Sequence, residues 1–387
     1  MKLKKLVLLL ASVGVLGACE AATQTVNNNQ DDSATIKLGG NWELSGDVSA
    51  YGVVQNNAIK MAVQEQNDRG GIDGKPVEYI EFDNKSAPEE SANGATRLTD
   101  VENVSVILGP ATTGSVSAQT PLATNATTPV ITATATGDGI TLDHTGEVLE
   151  YIYRVCFQDS FQGVALARFA NQQGWKKGAV IMDNSSDYGQ NLSREFTENF
   201  TGDIVANESY VSKETDFTTI LTNVKSKGAE FIFVAGYYQE AGPLIKQARE
   251  MGIDAAILGP DGFGNQEIIS LAGPENMNNI YYSAHFVQGK DMTPKAQAFV
   301  DKYRQTYGED PDMFAALAYD AAYLAFDAID RADSANRQAI TDQLAQTTNF
   351  EGVTGTFSFD EQHNPIKTAY IQEIQQGQVA GTTVIEP

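Results

Sequence analysis

Hydroxyl side chains gather where two apolar runs end. Val104–Gly109 (VSVILG) runs into Gly109-Pro110-Ala111-Thr112-Thr113-Gly114-Ser115, and Val130-Ile131-Thr132 runs into Ala133-Thr134-Ala135-Thr136. A helix start leaves backbone N–H groups unpaired and carries the positive end of the helix dipole, so the first junction suits a carboxylate or a phosphate. In open α/β sheets ligands sit beyond the carboxyl ends of the strands. The two hydroxyl-lined strand ends would then make a small polar cleft on one edge of the sheet. The same residues also fit two ordinary strand-to-helix turns with Thr as helix cap. Further along, other strand ends open into turns carrying single polar or aromatic groups: Asp187-Tyr188-Gly189, Gly236-Tyr237-Tyr238 and Gly259-Pro260-Asp261-Gly262.

The elements that must position these groups form two βα arrays of similar size. The first expects strands at 35–40, 77–83, 104–109, 130–132 and 151–155, with helices over 51–68 and 88–101. The second expects strands at 177–183, 203–210, 231–235, 255–258 and 280–286. Its helices start near Asp159 and Asp216, and one ends at Met251-Gly252. Alternation of this kind implies parallel sheets covered on both faces. After Gly289 the chain turns helical over 293–307, 312–330 and 334–347. It closes with a pair of strands at 355–360 and 368–375. Two α/β lobes facing each other across a ligand cleft is the economical architecture.

Composition narrows the function. The chain has 387 residues, 42% of them hydrophobic and 20% charged, which is globular. A formal net charge of -24 offers no basic stripe for nucleic acid. At the N-terminus Lys2, Lys4 and Lys5 precede the apolar run Leu6–Leu16, which is short for a spanning helix. It ends in Leu16-Gly17-Ala18-Cys19, which resembles a bacterial lipobox. Residues 1–18 are therefore expected to be a signal peptide, Cys19 the lipidated residue, and 19–35 a flexible linker. With Cys19 lipidated, Cys156 has no partner within the chain. His144, His285 and His363 show no metal-ligand spacing, and no metal or other cofactor is expected. No phosphate-binding glycine loop, nucleophile elbow or zinc-protease motif occurs, and no enzyme activity is expected.

Several phrases resemble one family. They are Asn67-Asp68-Arg69-Gly70-Gly71-Ile72-Asp73-Gly74-Lys75-Pro76, Leu108-Gly109-Pro110, Asp187-Tyr188-Gly189, Leu258-Gly259-Pro260-Asp261-Gly262 and Ala318-Tyr319-Asp320-Ala321. Together, over nearly the whole chain after residue 35, they are similar to the type I periplasmic-binding proteins, and more narrowly to the branched-chain amino acid (Leu/Ile/Val) receptors of ABC importers. The resemblance implies two doubly wound parallel-sheet lobes joined by three hinge crossings, near Val155–Gln158, Phe286–Gly289 and Gly355–Phe359. The N-lobe would hold 36–155 and 288–355, and the C-lobe 156–287 and 356–387.

The resemblance also implies roles. Thr113 would bind the ligand carboxylate, Thr134 would act through its backbone, and Thr136 would reach the carboxylate or amine. Tyr188 and Tyr237 would close over the ligand. Asp261 would pair with the α-ammonium, where the best-known members carry the longer Glu. Tyr51 and Phe314 would line the side-chain slot. The expected protein is a lipid-anchored monomer on the outer face of the cell membrane that delivers an aliphatic amino acid to permease subunits. The same fold binding an amide, urea-like or aromatic acid ligand, or sensing a ligand for a signalling partner, are the competing expectations.

Overall fold

The computed structural model describes residues 35–290 and 292–385. The expected signal peptide, Cys19 and nearly all of the linker lie outside the described residues. The first array is β1 (Ile36–Trp42), α1 (Ser49–Asp68), β2 (Val77–Asp83), α2 (Pro88–Thr96), β3 (Val106–Leu108), α3 (Thr113–Asn125), β4 (Val130–Thr132) and β5 (Ile152–Arg154). The second is α4 (Asp159–Gln172), β6 (Lys177–Asp183), α5 (Asp187–Asn199), β7 (Asp203–Tyr210), α6 (Thr218–Lys227), β8 (Phe231–Ala235), α7 (Tyr238–Glu250), β9 (Ala256–Gly259), α8 (Gln266–Ala272) and β10 (Ile280–Ala284). Then come α9 (Pro294–Tyr307), α10 (Met313–Ala332), α11 (Arg337–Ala345), β11 (Phe350–Gly352), β12 (Gly355–Phe357), β13 (Ala369–Gln375) and β14 (Gln378–Ile385).

Strands β2-β1-β3-β4-β5 form one sheet, every pair parallel. β3, β4 and β5 are three residues long and fully buried, as strands covered on both faces must be. The second sheet runs β14-β13-β10-β9-β8-β6-β7. Its inner pairs are parallel, but β13 and β14 add antiparallel at one edge. This sheet is therefore mixed rather than wholly parallel. The expected pairing of 355–360 with 368–375 is not formed. β12 pairs with β11, while β13 lies between β10 and β14.

α10 belongs with the first lobe although it lies late in the chain. It packs on α1, α11, β3 and β4. Its Ala-rich sequence is buried on nearly every side, because small side chains let a helix approach other elements closely. The chain passes between the sheets at 155–158, between Ala284 and Pro294, and at 358–368. The third passage starts after Phe357, since β12 still pairs within the small hairpin beside α10.

Asp312 caps α10, its Oδ1 accepting from Ala315 N at 2.9 Å. Burial pushes its pKa up from 3.8 to about 7. Between those values the folded state holds a proton that the unfolded chain has released, so this group's contribution to stability declines as pH rises from about 4 to about 7. Asn caps a helix as well as Asp does and carries no charge. Asp312→Asn is expected to raise the thermal midpoint at pH 8 and to leave it unchanged below pH 4. Melting curves across that range check this, and equal effects at both ends would exclude it.

Candidate functional site

The two hydroxyl-lined strand ends come together as expected, but three of their donors are already spent. Glu43, fully buried just past β1, accepts from Ala111 N at 3.0 Å, Thr112 N at 3.2 Å and Thr112 Oγ1 at 2.9 Å. The anion-suited end thus begins one residue later, at the N-terminus of α3, where Thr112 supplies no side-chain cap. Burial raises the pKa of Glu43, an effect these hydrogen bonds partly offset. Gly109 is needed for this packing. Its φ is 89°, and a Cβ would sit 2.5 Å from Asn41 O.

Thr113 Oγ1 accepts from Gly137 N at 3.1 Å, which ties α3 to the β4 loop. Thr134 spends its hydroxyl on Ala111 O at 2.9 Å and on the Gln55 side chain, consistent with a role through its backbone. Thr136 Oγ1 is buried with no hydrogen-bond partner among the described residues. Such orphans are rare in protein interiors and mark a place where something else is expected to bond.

Across the cleft, Asp261 opens a short 3-10 turn after β9. It is buried, and its carboxylate is gripped from two sides. Oδ1 accepts from Tyr188 OH at 2.6 Å and Gln162 Nε2 at 3.1 Å, and Oδ2 lies 3.0 Å from His285 Nε2. Burial pushes the Tyr188 phenol well above its usual pKa, so it remains a donor. Tyr237 stacks on Tyr188 with centroids 4.7 Å apart and planes within 4°. Gly262 fits because a Cβ there would lie 3.1 Å from the hydroxyls of both Tyr188 and Tyr51.

Tyr51, from α1, spans the cleft. Its hydroxyl donates to Gly262 O at 2.6 Å, and its ring meets those of Tyr237, Tyr238 and Phe314 at 5.8, 5.0 and 4.8 Å. Further out the lobes touch through Lys213–Asp47 at 3.0 Å and Tyr238 OH to Asp47 O at 3.1 Å. The lobes are therefore closed on each other. All eight residues singled out in the sequence, Tyr51, Thr113, Thr134, Thr136, Tyr188, Tyr237, Asp261 and Phe314, line one interlobe pocket with Ala111, Thr112 and Gly262, and in this closed arrangement the cavity between them is only about 20 Å³.

Behind these groups stand residues that the sequence did not single out for this role. Gln162 Nε2 bridges Asp261 Oδ1 and Asp159 Oδ1, at 3.1 and 3.0 Å. Asp159, expected only as the first residue of α4, is fully buried, and burial raises its pKa well above 3.8. Its Oδ2 has no hydrogen-bond partner among the described residues. Thr136 lies close enough to favour its charge, though no bond of ordinary length joins them. Among the described residues no cluster of His, Cys, Asp and Glu is placed to hold a metal, and no helix is long and apolar enough to cross a membrane.

Two closed α/β lobes with a polar pocket between them define a solute-binding architecture. The chain belongs to the periplasmic binding protein family, whose model matches residues 35–378. It is 26% identical over 330 residues to a leucine-, isoleucine-, valine-, threonine- and alanine-binding protein of Pseudomonas aeruginosa, covering 84% of this chain and 86% of the relative. Among solved structures it is similar to the isoleucine complex of LivJ, a branched-chain amino acid transporter substrate-binding protein from Streptococcus pneumoniae. That match has 42% identity and a TM-score of 0.87, over 91% of this chain and all of the other. LivK, a leucine-binding protein from Thermotoga maritima, matches at 31% identity and a TM-score of 0.85, over 91% and 99%.

Proposed function

We propose that this protein is an extracytoplasmic receptor that closes on an aliphatic, branched-chain amino acid and delivers it to the permease subunits of an ABC importer, held to the outer face of the membrane by lipid on Cys19. The observation that carries the ligand class is the pairing of opposite ends in one closed pocket. The start of α3 with Thr113 and the unpartnered Thr136 hydroxyl suits a carboxylate. Asp261, on the facing lobe, suits an ammonium. A carboxylate–ammonium pair gains strength when closure excludes water. Tyr51 and Phe314 supply the apolar wall for an aliphatic tail. The names of the relatives support the same ligand class. The hydroxyls and carboxylate are arranged to hold charges in place, which is a receptor's task and not a catalyst's.

A plain aromatic acid would fill the anion end and leave Asp261 facing no cation. One methylene in the apolar slot is worth only about 1–3 kcal/mol, so Leu, Ile and Val should all bind. Titration calorimetry of ligand-stripped protein against Leu, Ile, Val, Ala, Phe and a plain carboxylic acid tests the reading. Aliphatic amino acids that bind no tighter than millimolar would refute it. Tyr51→Phe removes the hydroxyl that spans the cleft while keeping the ring. A neutral hydrogen bond contributes about 1 kcal/mol, so affinity should fall roughly fivefold. An unchanged affinity would show that the Tyr51 hydroxyl does not hold the closed form.

A further inference from the structure

His285 is the first residue after β10, where the chain leaves the second lobe. Its side chain is fully buried. The ring lies on Phe157, from the first passage between the lobes, with centroids 3.5 Å apart and planes within 23°. Its backbone N–H points to Met313 Sδ, at the start of α10. His285 thus stands on one of the three connections between the lobes, touches a second through its ring, and meets the helix that lines the pocket through its backbone N–H. Its Nε2 lies 3.0 Å from Asp261 Oδ2, while its Nδ1 is buried with no partner among the described residues. A proton on Nε2 satisfies that contact and leaves Nδ1 a bare acceptor. A proton on Nδ1 would bury an unpaired donor and set two acceptors against each other, which is the costlier arrangement.

We infer that His285 is a positioning residue for ligand recognition: by donating from Nε2 to Asp261 Oδ2 it aims the Asp261 carboxylate at the ligand's ammonium and couples that carboxylate to the hinge. The inference rests on the receptor reading above. Asp has one methylene fewer than Glu, so its carboxylate has less reach to adjust. Tyr188 and Gln162 both bond to Oδ1, and they alone would leave the rotation of the carboxylate about its last bond weakly set. The His285 contact on Oδ2 sets it. Because His285 sits between Phe157 and Met313, the aim is correct only when the passages between the lobes are packed as in the closed form.

The test is a comparison of ligands with and without the ammonium. Binding of isoleucine and of its α-hydroxy analogue is measured for wild type, His285→Phe and His285→Gln. The Phe variant keeps the stacking on Phe157 and loses the donor; the Gln variant keeps a donor and loses the stack. The expected result is a loss of at least tenfold for isoleucine in His285→Phe, a change under threefold for the analogue, and recovery of most of the loss in His285→Gln. Equal losses for both ligands in His285→Phe, or no loss for isoleucine, would overturn the inference. Nitrogen-15 spectra of the wild-type imidazole give a readout that needs no variant to fold. Nε2–H is expected at pH 7, and the Nδ1–H tautomer would also overturn it. A wild type that binds no aliphatic amino acid refutes the receptor reading itself, whereas binding with unselective losses refutes only the role of His285.

Discussion

Asp261→Asn should weaken isoleucine binding about a hundredfold or more while leaving the affinity for its α-hydroxy analogue nearly unchanged. Truncating or neutralising one partner of a buried, hydrogen-bonded charge pair costs about 2–5 kcal/mol, and a hundredfold is about 2.7 kcal/mol. A loss above the bottom of that range is the expectation here, because an amide cannot copy the carboxylate's surroundings. Oδ1 accepts from Tyr188 and Gln162, and Oδ2 faces His285 Nε2. An Asn side chain has one acceptor and one donor. Whichever way it turns, its NH2 meets a donor, either the Tyr188 hydroxyl and Gln162 amide or the His285 ring. The variant therefore loses the charge and misaligns what remains. Calorimetry with the two ligands separates these outcomes. A loss shared equally by both would mean a disordered pocket, and an isoleucine affinity within threefold of wild type would remove Asp261 from the ammonium site.

Much of this pocket was legible from strand ends. Where a strand is short, apolar and followed by Gly, Thr or Ser, the next side chains fall at the carboxyl edge of the sheet. That is why the turns carrying Thr113, Thr134, Thr136, Tyr188, Tyr237 and Asp261 could be placed at one edge, while the choice of those six side chains came from the family resemblance. Glu43 was not legible, because an acid in a polar loop reads as solvated until the loop is seen to fold over the start of α3. His285 carries no local signal either. Its position follows only from register. β10 runs parallel beside β9 with Tyr282 opposite Gly259, so the residues just past both strands become neighbours. The final strand is a different kind of miss. Gln376 and Gly377 both take positive φ, 51° and 72°, which is the signature of a tight hairpin turn. Gln-Gly is a weaker announcement of that turn than Asn-Gly. β14 itself is mostly exposed, and its apolar residues come as two adjacent pairs rather than in alternation, so the pattern does not declare a strand. The helix α10 was legible as a helix but not as the wedge between α1, α11 and the first sheet, since nothing within 312–330 says which elements will close around it.

Asp320→Ala should lower stability by about 3–5 kcal/mol, the cost of breaking a buried charge pair by removing one member. Asp320 projects from α10 and is completely buried. It accepts from Val353 N at 2.6 Å and Thr354 N at 2.9 Å, and from Thr354 Oγ1 at 2.6 Å. That hydroxyl in turn accepts from Lys367 Nζ, which also donates to Val155 O at 3.1 Å. Gly352 makes the approach possible, since a Cβ there would collide with the Asp320 carboxylate. Asp320, Thr354 and Lys367 thus join α10, the β11–β12 turn, the third passage between the lobes and the first. Lys367 is buried too, and its pKa falls to about 8 through burial despite the nearby Asp320. Alanine at 320 leaves this cation without its nearby counter-charge, and the Thr354 hydroxyl and two backbone N–H groups without their acceptor. Chemical denaturation should therefore show a clear loss for Asp320→Ala and a smaller one for Asp320→Asn, which keeps one acceptor. Adding Lys367→Met to Asp320→Ala should return part of the loss, because it removes the cation left unpaired. Strict additivity of the two substitutions would show that the charges do not act as a pair. None of the three residues lines the pocket, so the affinity of the folded variant for isoleucine should stay within a few fold of wild type.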